Sequence, residues 1–139
     1  MDTRDLLKYQ LDAIAHQVDK VLEGLEEDKW DGKVREDCMS PRETVIHLTE
    51  CYIAAKRDLA GEKHEWGSYV AESEDISELL SKMRSERDSV RDALLNSDSE
   101  KSGEVATQYV MLHDAYHVGQ LATYRIGADA DWDAYAIYS

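Results

Sequence analysis

Leu7, Leu11, Ile14, Val18, Val21 and Leu25 recur at steps of 4, 3, 4, 3 and 4 residues. That period belongs to a helix, so the six side chains form one stripe along one face and need another element to cover it. Similar stripes follow three more times along the 139 residues, and proline, which breaks helices, occurs once, at Pro41. The chain is therefore read as all-α.

The first helix is predicted over about Thr3 to Glu27. The second opens at Ser40-Pro41-Arg42-Glu43, where a serine cap, a proline in the first helical position and a glutamate three after the cap form a capping box. It continues through Val45, Leu48, Tyr52 and Leu59 to Gly61. The third, about Asp75 to Asn96, turns Ile76, Leu79, Leu80, Met83, Val90 and Leu94 inward. Arg87 falls on this stripe; a long side chain there snorkels outward, the alternative being an inward cation awaiting an anionic ligand. The fourth, about Gly103 to Ile126, carries the seam Val105, Tyr109, Leu112, Tyr116, Gly119, Thr123 and Ile126, with Gly119 allowing close helix approach and Gly127 ending the helix. The tail that follows, residues 127–139, holds Trp132, Tyr135 and Tyr138 and is expected to pack on its own bundle.

Four such helices make one domain, residues 1–139, folded as a four-helix bundle. The short connection between helices three and four makes those two antiparallel neighbours. A helix of about 20 residues is ~30 Å long, and about a dozen extended residues reach ~40 Å. Gly61 to Glu74 is therefore long enough to cross the bundle, giving an up-down-down-up order.

Charge narrows the partners. Sixteen Lys and Arg against thirty Asp and Glu leave a net charge of −14, which repels phosphate backbones and anionic lipid, so neither nucleic acid nor membrane is expected. The N-terminus, Met1-Asp-Thr-Arg-Asp5, is charged and lacks the apolar core of a signal peptide. The two cysteines, Cys38 and Cys51, lack CxxC spacing. A cytoplasmic protein with reduced thiols is expected, a disulfide between the two being the less favoured alternative.

Chemistry concentrates in H-D-A-Y-H-V-G-Q, residues 113–120. His113 and His117 stand one turn apart, beside the Leu112–Tyr116 seam, and two imidazoles at this spacing can share one ion. The glutamate of an HExxH site is absent. On the second helix His47 precedes Leu48, and bundles build metal sites from facing helices. Three imidazoles would leave an open fourth position; the alternative for His47 is a histidine at the core edge satisfied by one hydrogen bond. His16 falls off its stripe and is read as solvated. Cys51, one turn after His47, is a zinc-binding thiolate of a different site or a packing residue. Glu43 and Glu50 flank His47, Glu43 already having a capping role. Asp114 lies near the pair, and Gln120 is a candidate to support a ligand from behind.

The string H-D-A-Y-H-V-G-Q-L resembles the C-terminal helix motif of the DinB-like superfamily, small metal-binding four-helix proteins. There a histidine, three residues, a second histidine and then x-Gly-Gln supply two ligands, and a histidine-leucine step on a serine-capped second helix supplies the third. Ser40 and His47-Leu48 stand at that place here. The resemblance implies His47, His113 and His117 as ligands of a divalent metal, zinc or nickel foremost. The family often has two adjacent histidines and an arginine before Gly-Gln; here Tyr116, His117 and Val118 stand instead, so the ligand pair carries over and a substrate contact through that arginine does not.

Members of the superfamily include thiol transferases and thiol-dependent isomerases that use low-molecular-weight thiols. The resemblance thus implies a metal-dependent transferase or hydrolase acting on a small electrophilic substrate in stress or detoxification, with a low-molecular-weight thiol as partner, Glu50 as proton acceptor and a homodimer as the assembly. The alternative is a non-catalytic, metal-stabilised dimeric bundle with a binding or structural task.

Overall fold

The computed structural model describes residues 1–98 and 100–139. Each of the first three helices begins where a side chain caps it. Asp2 accepts from Asp5 N, and Asp5 accepts in return from Asp2 N, at the start of α1 (Thr3–Leu22). Ser40 and Glu43 form the expected capping box of α2 (Pro41–Leu59). Asp75 accepts from Glu78 N ahead of α3 (Ile76–Leu95). Such caps satisfy N–H groups that have no partner within the helix, for about 1 kcal/mol each. The fourth helix, α4, is one run over residues 101–128: α-helical over Lys101–Val105, π-helical over Ala106–Met111 and α-helical again over Leu112–Ala128. Two 3-10 turns, Glu27–Lys29 and Ala134–Tyr138, complete the elements, and no strand occurs among the described residues.

α1 stops at Leu22, short of the predicted Glu27, because Gly24 takes a φ of +71°, the left-handed conformation that ends helices. Leu25 still reaches the core from beyond the helix end. Trp30, on the connection to α2, is also buried there and donates from Nε1 to Leu25 O.

One core gathers Leu11, Ile14, Val18 and Val21 of α1, Val45, Leu48 and Tyr52 of α2, and Leu79, Met83, Val90 and Leu94 of α3. All lie on the predicted stripes. Burying each large apolar side chain contributes about 1.5–3 kcal/mol.

α4 departs from its predicted seam. Val105 is buried, but Leu112, Tyr116 and Ile126 are 66%, 62% and 57% exposed. Buried in their place are Ala106, Val110, Asp114, His117, Val118, Leu121 and Arg125. The π turn is the cause: it takes up one more residue than an α turn, which rotates every later side chain by about 100°. The 4-3 repeat from Leu112 to Ile126 consequently faces outward. Gly119, predicted to admit a close neighbour, has no atom of another element within 4 Å of where a Cβ would stand.

Arg87 neither snorkels nor waits for a ligand. It points inward and forms a two-pronged pair with Asp19 of α1, at 2.9 and 3.0 Å. Further along the same face Arg91 pairs with Asp12, and Arg4 donates to Leu95 O. Between α2 and α3, Arg42 donates to Glu74 O, while Lys56 pairs with Glu86 and donates to Ser89 Oγ.

In the tail, the Arg125 guanidinium lies 4.9 Å over the Trp132 ring, and Ile137 packs on the core, whereas Tyr135 and Tyr138 are exposed. Both cysteines are free. No helix among the described residues is long and apolar enough to cross a membrane.

Candidate metal centre

His47 leaves the second turn of α2, and His113 and His117 leave the first turns after the π segment. The rotation imposed by that segment turns His117 fully into the interior and leaves His113 half-buried. Their Nε2 atoms converge: His47 to His113 is 3.0 Å and His113 to His117 is 3.1 Å. One ligating atom from each of the three lies within 4.8 Å of the others. The rings cross at 60° to 73° with centroids 4.5 to 5.0 Å apart, so they meet at the nitrogens rather than by their faces.

Burial, then the imidazoles of His113 and His47, hold the His117 pKa down at about 4. Burial and His113 lower that of His47 as well, against a weaker opposing pull from Glu50. Both rings are therefore neutral at pH 7, the state that offers a lone pair to a metal. With the protons on Nδ1, the lone pairs on Nε2 crowd one point and repel, and a cation at that point reverses the sign. Tetrahedral ligands bound at about 2.0–2.1 Å stand roughly 3.3 Å apart, close to the two separations seen. The donor set suits a divalent ion.

Behind His113 stands Asp114, sealed from solvent. Its Oδ2 accepts from Tyr52 Oη at 2.7 Å. Its Oδ1 lies 3.9 Å from His113 Nδ1, and both of these buried atoms lack a hydrogen-bond partner among the described residues. A small closing movement would join them into the carboxylate–histidine pairing that fixes a metal-binding ring. Burial pushes the Asp114 carboxyl up, with His113 and Tyr52 pulling against it.

Cys51, read as packing or as part of another site, is buried at this one. Its Sγ lies 3.6 Å from His47 Nε2 and 3.7 Å from His113 Nε2. Burial, then the carboxylates of Asp114 and Glu50, push its pKa up to about 12.

Glu50 is engaged elsewhere: both its oxygens accept from Gly67 N at 3.0 Å, and His64 Nε2 lies 3.4 Å away. These contacts fasten the connection between α2 and α3 against α2. The fastened segment carries Trp66, whose ring lies nearly parallel to Tyr109 of the π segment, centroids 6.5 Å apart. Trp66, Tyr109, Gln108, His47, Cys51 and His113 line a cleft of about 430 Å³, so two of the three imidazoles face it and His117 lies behind them.

Of the other residues weighed from the sequence, Glu43 stays in its capping box and pairs with Lys33. Gln120 donates to Tyr116 Oη, and His16 is exposed beside Ser139 O. By its spacing alone Tyr52 is a plain core residue on its stripe, and Asp114 owes its place to the π turn. No protein-family model, no curated protein and no solved structure matches this chain.

Proposed function

We propose that this chain is a divalent-metal-dependent enzyme, related to the DinB-like superfamily, that acts on small electrophilic substrates with a thiol or water as nucleophile. The observation that carries the reading is the meeting of three imidazole nitrogens from two helices beside a cleft that His47 and His113 line. In it, His47, His113 and His117 hold the ion, and Asp114, itself held by Tyr52, keeps the His113 ring in place. Trp66 and Tyr109 give the cleft an apolar wall for the carbon part of a substrate, and Glu50 holds that wall in position through Gly67. A bound divalent ion supplies Lewis acidity, which makes water or a small thiol a nucleophile near neutral pH.

Metal analysis of the purified protein beside His113→Ala is the first test, followed by a panel of low-molecular-weight thiols with electrophilic acceptors. Stoichiometric metal in the wild type, its loss in the variant, and turnover that a chelator abolishes and added metal restores are the expected results. A wild type that binds no divalent metal defeats the reading.

A second reading has an observation of its own. The nitrogens and the Cys51 sulfur bridge α2 to α4, and a centre closed by protein donors is the usual form of a structural metal. Metal-dependent stability without any metal-dependent turnover selects it.

The exposed repeat Leu112, Tyr116 and Ile126 supports the homodimer. Monomers rarely leave a regular apolar stripe open, and beside it Val34 and Met39 are exposed as well. A second copy related by a two-fold axis offers the same stripe in return.

A further inference from the structure

We propose that Cys51 is a fourth protein ligand of the metal held by His47, His113 and His117, making the centre one of three nitrogens and one sulfur. The inference rests on the metal reading above and sharpens it. Cys51 follows His47 by one turn of α2, so both side chains leave the same face of that helix. Its sulfur stands 3.6 and 3.7 Å from two of the converging nitrogens. A tetrahedral ion with metal–nitrogen bonds of about 2.0–2.1 Å and a metal–sulfur bond of about 2.3 Å holds sulfur and nitrogen roughly 3.5–3.6 Å apart. The sulfur meets that spacing to one ligand from each helix, His47 and His113; the three imidazoles alone gather within 4.8 Å of one another, so binding would also draw the sulfur toward His117. The other cysteine, Cys38, lies on the connection before α2 with its Sγ beside Asp37.

On binding, the Sγ–H bond breaks, the proton passes to solvent, and a sulfur electron pair forms the bond to the ion; no redox change takes place. A sulfur donor biases the centre toward zinc, cobalt or nickel and away from magnesium or manganese. Cys51 also lines the cleft.

The test is the absorption spectrum of the full chain stripped with a chelator and loaded with Co(II) alone. Sulfur bound to Co(II) gives an intense near-ultraviolet charge-transfer band, which nitrogen donors do not. The band is expected in the wild type and in Cys38→Ser, and its loss is expected in Cys51→Ser while the weaker visible bands of bound Co(II) remain. Stoichiometric Co(II) without the band in the wild type overturns the fourth ligand and leaves the three-histidine centre standing. Persistence of the band in Cys51→Ser overturns it too. Failure of the wild type to take up Co(II) removes the metal reading and this inference together. Should Cys51→Ser not fold, Cys38→Ser decides, since Cys51 is then the single thiol: the band present supports the ligand and the band absent refutes it.

Discussion

Tyr52 Oη donates to Asp114 Oδ2 across 2.7 Å, joining α2 to α4 through two side chains shut off from solvent. Tyr52→Phe removes only that hydroxyl and leaves a buried carboxyl short of its donor. A loss of about 1–3 kcal/mol in unfolding free energy is expected. Metal affinity should fall roughly 10–100-fold with it, because in the proposed centre Asp114 steadies the His113 ring. Urea denaturation and metal competition check the two effects, and a variant matching the wild type in both would falsify the supporting role.

Metal binding should stabilise the fold. Free zinc or nickel at about 100 times its Kd adds about 2.7 kcal/mol, a rise on the order of 10 °C in melting temperature for a chain of this size. His117→Ala is expected to abolish the rise. A wild type whose melting temperature ignores both metal and chelator speaks against the centre.

Arg87 is buried, with Asp19 as its anion. Asp19→Ala strands a guanidinium in the interior and should cost ~2 kcal/mol, below the full 3–5 kcal/mol of a sealed pair because the Asp19 side chain is 37% exposed. Asp12→Ala, which breaks the more exposed pair with Arg91, should cost less than ~1 kcal/mol. Replacing both partners, Asp19→Leu with Arg87→Met, should recover most of the first loss. Equal losses for the two single variants contradict this ranking.

Acid should erode the fold through the same pairs. Hydrogen bonds from Arg91 hold Asp12 at about 2. Burial pushes Asp19 up, yet Arg87 and Arg84 pull it down further, to below its ordinary value. Unfolded, both titrate at ~3.9. Folding thus favours their ionised forms, and the stability this gives is complete above pH ~4 and lost as pH falls toward ~2. Asp12→Asn should flatten the fall in unfolding free energy over that range. An unaltered slope in that variant rules Asp12 out as a contributor.

Ile126 lies on the exposed stripe, well along α4 from the histidines. Ile126→Glu should convert a dimeric wild type to monomer in sedimentation while its metal content stays unchanged. A wild type that sediments as a monomer at every concentration removes the dimer from consideration.

Helical spacing makes the His113–His117 pair legible, whereas His47, beside a core leucine, is as open to a core-edge role and joins the pair only through the resemblance to the DinB-like motif. The stripes of α1, α2 and α3 are legible by helical spacing too. The apolar repeat of α4 reads as core although its second half faces outward, since the repeat itself does not reveal the change of phase within the helix. Nothing local marks residues 106–111 as a π turn, so Asp114 could not be placed beneath His113. Nor does any spacing link Arg87 to Asp19, 68 residues away. Such partners meet only when helices pack.

The π turn gives α4 something like a reading frame. Upstream of it Val105 sets the inward phase, and downstream Asp114 and His117 follow a phase one residue later. Deleting a single exposed residue such as Gln108 would leave a regular α-helix with the histidines still in frame. Keeping every residue while straightening the helix would rotate Leu112 and Tyr116 inward and carry the ligands off the site. Along this stretch a lost residue is the conservative change, and a gain in helical regularity is the disruptive one.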